Sequence, residues 1–333
     1  MTGTEPEPHS TRVDPADAAT AASRPEKLRR RLRARALRLL TRGAGIVPPR
    51  AVFGALAVVS PLSRFTRFER TTQENLARAL GPTTTALERA RIARGVRVHS
   101  ARIFADWIRL AASGPAGSAN GAWIERHVEL DDSIAVLERA LAAGHGALVV
   151  TAHLGNWELL AARLARRGVR GAVVGFQRRH DSTSAWLTDM RHAYGVPTVA
   201  QDAHPREILR VLARGEVVGL LADLEARRID GESVPFFGIP AWTMTAPAAL
   251  ARASRAVLVP ARCVRRGARY RLMFEEPVAS DRSLARRDAL LDVCRRLNAT
   301  FERWIREDPE QWAWHQRRWR TSLQRPDQGL ARA

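Results

Sequence analysis

The sequence predicts an α/β fold: a central, mainly parallel β-sheet flanked by helices on both faces, with a basic amphipathic helix near its N-terminus. Three observations point to it. Short apolar runs bounded by glycine recur along the chain, and residues 146–151 (Gly-Ala-Leu-Val-Val-Thr) are the clearest; runs of this kind mark strands buried on both faces of a parallel sheet. Segments with helical spacing of apolar residues alternate with these runs, as in a sheet wound between two helical layers. Residues 27–42 hold eight basic side chains, with Leu28, Leu32, Ala36, Leu39 and Leu40 on one helical face.

Residues 1–25 are rich in Thr, Ser, Pro and Ala, lack periodicity, and read as a disordered tail. They have no apolar core and carry Glu5, Glu7, Asp14 and Asp17, so no signal peptide is expected. Residues 26–62 form a basic and then apolar segment. Its arginines suit an anionic bilayer surface and its leucines the acyl boundary, although the same helix could pack on the domain. The apolar stretch 46–62 contains Pro48, Pro49, Arg50 and Pro61 and is shorter than the roughly 20 residues of a spanning helix. A segment lying on the membrane is therefore expected rather than one crossing it.

The domain is expected over residues 63–322, with a flexible tail at 323–333. Residues 73–110 read as helical, with Leu76, Leu80, Leu87, Ile92, Val96, Ile103 and Trp107 as core candidates. Residues 114–121 read as a loop and 133–143 as a helix stopped by Gly144. The strand at 146–151 leads into a helix from Asn156, a suitable N-cap, toward a stop at Gly168. Strands are then expected at 171–176, 197–200, 217–222, 256–264 and 269–276. Helices are expected at 184–194, 204–214, 245–254 and about 284–306.

The formal charge of +20 comes almost wholly from arginine, Lys27 being the single lysine. Arginine-rich coding explains part of it; a positive surface also attracts acidic lipids, an acidic carrier protein or nucleic acid. Cys263 and Cys294 belong to no C-x-x-C pair, so neither a redox motif nor a structural zinc site is expected.

His153 stands where the first strand turns into its helix, and Glu158 follows in the first helical turn. A carboxylate there could reach back to the imidazole, set its tautomer and stabilise its protonated form. The histidine would then act as general base on an alcohol. No Gly-x-Ser-x-Gly elbow is present to form an acyl-enzyme, and no His-Glu-x-x-His run or His/carboxylate cluster indicates a metal. The plainer reading is a loop histidine beside a glutamate that complements the helix dipole.

The chain resembles the bacterial lipid A biosynthesis acyltransferases, the lauroyl/myristoyl transferase family within the glycerol-phosphate acyltransferase-like superfamily. The resemblance rests on His153-Leu-Gly-Asn-Trp-Glu158, Val234-Pro-Phe-Phe-Gly238, Pro240-Ala241 with Thr243, and Pro309-Glu-Gln-Trp312-Ala-Trp314-His315 followed by Arg317-Arg318-Trp319. Gln73-Glu-Asn-Leu76 matches an upstream helix, and the motifs keep the family's order over residues 35–322.

The resemblance implies His153 as general base and Glu158 as its partner. It places Arg191 near a phosphate or the developing oxyanion, and Asp223 on the wall of the same cleft. Asn156 and Arg178 are carried with them as substrate-binding positions. It implies a thioester co-substrate (acyl-ACP or acyl-CoA), no cofactor, a glycolipid acceptor of the lipid A precursor type, and the cytoplasmic face of the inner membrane. Two departures concern the acceptor: Phe176-Gln177-Arg178 replaces an aromatic–Arg pair, and Arg227 and Arg228 interrupt the usual pattern at 224–232. A phosphatidylinositol-mannoside acyltransferase has the same fold but commonly His-x4-Asp, so Glu158 and the tryptophan-rich ending favour the lipid A branch. A basic nucleic-acid-binding protein fits the charge, yet no binding motif for it appears. Trp304, Trp312, Trp314 and Trp319, interleaved with arginine, suit a lipid–water boundary or a docked C-terminal segment.

Overall fold

The computed structural model of the chain describes residues 66–111, 119–175, 182–225 and 231–320, with isolated residues before Thr66. Both expected tails and most of 26–62 lie outside these residues. Of the expected helix at 27–42, only Arg35 and Leu39 are described, both helical and exposed. Arg178 also lies outside the described residues. Among the described residues, no helix is long and apolar enough to cross a membrane.

The chain opens with α1 (Arg67–Leu80), α2 (Ala86–Ala111), α3 (Ala119–His127), β1 (Val128–Leu130), α4 (Ile134–Ala142) and β2 (Ala147–Thr151). It continues with α5 (Trp157–Arg166), β3 (Gly171–Gly175), α6 (Ser182–Ala193), β4 (Thr198–Ala200), α7 (Pro205–Ala213) and β5 (Val217–Leu221). Then come β6 (Gly231–Phe236), β7 (Ile239–Met244), α8 (Ala246–Ser254), β8 (Val257–Arg266), β9 (Arg269–Phe274) and α9 (Arg286–Glu307).

Seven strands form one sheet in the order β1-β9-β8-β2-β5-β3-β4. All neighbours pair in parallel except β8 and β9, which form an antiparallel hairpin. The mainly parallel sheet is thus as expected. Successive side chains of a strand point to opposite faces. On β2, Leu148 and Val150 enter one core with Phe301, Trp304 and Trp312, while Ala147 and Val149 enter the other with Leu159, Leu160 and Tyr194. Every residue of β2 is buried, which explains its unbroken apolar run.

Some elements differ from expectation. Of the expected loop at 114–121, the described residues 119–121 are helical and open α3. Leu87 is 81% exposed, because the packed stripe of α2 starts at Ala93 and Val96. The motif Val234–Gly238 falls in a hairpin: β6 pairs with β7 across Phe237 and Gly238, whose φ values of 54° and 71° are those of a tight hairpin turn. All four C-terminal tryptophans are buried, at 1% exposure or less, so they form core and not a lipid-facing belt. Arg318 is buried with them, which pushes its pKa down to about 10. It donates to the Trp242 carbonyl (2.6 Å) and Thr243 Oγ1 (2.8 Å), tying the C-terminal segment to the hairpin.

Candidate active site

β2 and β5 are adjacent and in register, with Thr151 opposite Leu221. Two residues past each of these positions stand His153 and Asp223, so the sheet itself sets them face to face. Ligand sites of open α/β sheets lie at these carboxyl ends. The Asp223 carboxylate accepts the His153 backbone N–H (2.8 Å), meets His153 Nδ1 (2.8 Å) and accepts Trp312 Nε1–H (2.7 Å). Burial pushes the Asp223 carboxyl up, but the His153 imidazole and the three hydrogen bonds more than offset this and hold it below the usual carboxylate range. A carboxylate at Nδ1 keeps the proton there and leaves the lone pair on Nε2.

The turn carrying His153 is anchored on three sides. The His153 carbonyl accepts the Ala313 N–H (3.0 Å), Gly155 N–H donates to the Gln311 carbonyl (3.1 Å), and Asn156 N–H donates to the Cys263 carbonyl (2.8 Å). Gly155 has φ of 63°, and a Cβ there would collide with the Cys263 carbonyl oxygen, so the turn requires glycine. The His153 ring rests edge-on against Trp157, with centroids 5.0 Å apart, and its side chain is 22% exposed.

Glu158 does not join this pair. It is buried, and both its oxygens face Arg191: Nε to Oε2 at 2.9 Å and Nη2 to Oε1 at 2.5 Å, with Tyr194 Oη donating to Oε2 at 2.8 Å. The contact expected between Glu158 and His153 is therefore replaced by one between α5 and α6. The physical reason is that Glu158 points into the helical layer, where the Arg191 fork and the Tyr194 hydroxyl satisfy its buried carboxylate. Burial works against the Arg191 cation, but Glu158 raises its pKa above the ordinary value. Arg191, expected near a phosphate or oxyanion, makes both of these contacts with Glu158. Asn156, expected to touch substrate, is fully buried; its Oδ1 accepts Leu159 N–H (3.2 Å) and Trp107 Nε1–H (3.2 Å), so it caps α5.

The family described as bacterial lipid A biosynthesis acyltransferase matches residues 39–321. The chain belongs to that family. Two phosphatidylinositol mannoside acyltransferases of Mycobacterium tuberculosis, from strains CDC 1551 / Oshkosh and ATCC 25618 / H37Rv, are each 33% identical over 131 residues. The match covers 38% of this chain and 41% of each relative, so it spans about two-fifths of the length of the curated relatives.

In this lipid A acyltransferase family member, three site residues escape a local reading of the sequence. Trp312 holds Asp223, Tyr194 completes the shell of Glu158, and His315 stacks on Phe68 with centroids 4.4 Å apart. The signal for Trp312 and His315 was present, since both lie in the motif at 309–315. Burial, and then the nearby His153, push the His315 imidazole down to about 4, so a neutral ring borders the site.

His99 is held the same way behind the turn, its Nε2 3.3 Å from the Gly155 carbonyl, and burial lowers its pKa to about 4. Unfolded, both histidines titrate near 6.5. Between these values the unfolded chain binds more protons, so stability falls as pH drops from about 6.5 to about 4. His99 alone contributes up to about 3 kcal/mol of that fall. Urea melts at pH 7 and pH 5 should show it, and His99→Gln should flatten it. An equal fall in the variant would remove His99 from this account.

Proposed function

We propose that the chain is an O-acyltransferase that moves a fatty-acyl group from a thioester donor, acyl carrier protein or coenzyme A, to a hydroxyl of a glycolipid. The observation that carries this reading is the His153–Asp223 pair at the ends of β2 and β5, in which Asp223 holds Nδ1. Nε2 takes the proton of the acceptor hydroxyl as its oxygen attacks the thioester carbonyl. Asp223 stabilises the imidazolium so formed. Collapse of the tetrahedral intermediate breaks the C–S bond, and the imidazolium returns its proton to the departing thiolate. Glu158, Arg191 and Tyr194 act by position, fixing the first turn of α5 and with it the Trp157 ring that supports His153.

The family supports a lipid A precursor-type acceptor, whereas the names of the two relatives support a phosphatidylinositol mannoside. Purified protein should be offered palmitoyl-coenzyme A or palmitoyl carrier protein with each acceptor, and the ester read by mass spectrometry. Ester formed on one acceptor identifies the branch. No ester in any of the four pairings would overturn the reading.

The site of action is proposed as the cytoplasmic face of the inner membrane, reached through residues 26–62. Eight basic residues at 27–42 would each gain about 1 kcal/mol near an anionic surface. Deleting residues 1–42 should weaken flotation with anionic vesicles, and high salt should weaken that of the full chain similarly. A truncated form that floats as well as the full chain would assign membrane contact elsewhere.

A further inference from the structure

A concave site lies beside the His153 turn. Its walls are one face of α2, the β8–β9 turn and the short 3-10 segment Pro309–Gln311, and it encloses about 410 Å³. Four arginines line it: Arg91, Arg94 and Arg102 from α2 and Arg265 from β8. The three on α2 recur at spacings of three and eight residues, which brings them to one side of the helix. None of the four forms an ion pair with a described residue, although arginine is paired at many other places on this surface.

The charges facing this groove do not cancel. Among the described residues, its one lining carboxylate is Glu310, which lies over Gly95, where a Cβ would strike it. Asp106 lies deeper, accepting Tyr270 Oη–H at 2.7 Å. His99 is neutral, as described above. Two of the guanidinium groups are pre-set by aromatic rings: Arg102 lies 4.2 Å from the Phe53 ring centroid and Arg265 lies 5.6 Å from that of Tyr270. Burial and then the neighbouring Arg265 pull the Arg102 pKa down, while Tyr270 and Asp106 act the other way.

The groove also touches the reaction site through backbone. His99 Nε2 meets the Gly155 carbonyl, and the Gln311 carbonyl takes the Gly155 N–H, so the turn that carries His153 also borders the groove.

We propose that this groove binds a phosphate ester of one of the two substrates, carried either by the donor thiol's pantetheine arm or by the glycolipid headgroup. Planar guanidinium forks match phosphate oxygens, and the volume suits a phosphorylated moiety of small-ligand size. The identity of the ligand rests on the acyl-transfer reading; the presence of an anion site does not.

The test is calorimetric titration of the full chain with coenzyme A, pantetheine and glycerophosphoinositol, in wild type and in two variants, Arg91→Gln/Arg94→Gln and Arg265→Gln. Thermal melts of each variant establish that it is folded. Loss of two charge-assisted contacts should weaken binding of the phosphate-bearing probe about 10-fold or more. Pantetheine, which lacks phosphate, should bind equally in all forms. A loss confined to coenzyme A assigns the groove to the donor, and one confined to glycerophosphoinositol assigns it to the acceptor. Steady-state KM for the corresponding substrate should rise in parallel. Unchanged affinity for both phosphate probes in folded variants would overturn the proposal, as would failure of wild type to bind either. Wild type that binds a phosphate probe but forms no ester would keep the groove and overturn the acyl-transfer reading.

Discussion

His153→Ala is expected to lower kcat for acyl transfer by about 10²–10⁴-fold, the usual worth of a positioned general base, while the protein stays folded. Asp223→Asn is expected to fall in the same range. Its amide would still accept a hydrogen bond from one donor, but it would lose the charge that stabilises the imidazolium and could present an N–H to Nδ1, favouring the wrong tautomer. The two losses should not add, because both act on one proton transfer. The double variant should therefore be about as slow as His153→Ala alone. Single-turnover assays with circular dichroism of each variant measure this. Near wild-type turnover in folded His153→Ala would remove the mechanism, and near wild-type turnover in Asp223→Asn would return the partner role to another residue.

The strand, turn and helix around His153 are legible in the sequence because each signal is local. The apolar run at 147–151, the capping Asn156 and the stop at Gly168 all act within a few residues. That His153 and Asp223 each stand at a strand's carboxyl end is legible for the same reason. Their pairing is not, since it depends on β5 lying between β2 and β3 in the sheet, a neighbour relation that no local pattern encodes. A first-turn glutamate five residues after a histidine fits two partners equally well on spacing alone. Only the packing of α6 on α5 turns Glu158 toward Arg191. The tryptophans show the same limit. Beside arginine they suit a membrane boundary or a core, and the choice is visible only once their ring N–H groups find partners inside: Glu275 for Trp304, Asp223 for Trp312 and the Pro309 carbonyl for Trp314.

Glu158→Ala is expected to act first on stability. The side-chain exposures of Glu158 and Arg191 are 2% and 10%, so removing the carboxylate leaves a guanidinium and the Tyr194 hydroxyl without their shared acceptor in a dry layer. Breaking one side of such a buried pair costs about 3–5 kcal/mol. Burial and then Glu158 push the Tyr194 phenol well above its ordinary pKa, so it stays a proton donor and cannot neutralise Arg191. Arg191→Lys should be destabilising too, because a single ammonium cannot make the two parallel contacts of the fork. Replacing both partners with apolar residues of similar volume, Glu158→Leu with Arg191→Met, should cost less than Glu158→Ala alone. This ordering separates a positioning role from a chemical one. If Glu158 acts by holding α5 against α6, the double variant regains stability and part of its turnover at a temperature well below its midpoint. If Glu158 instead takes part in proton transfer, stability returns while kcat stays as low as in His153→Ala. Urea midpoints and kcat for the three variants decide between these outcomes.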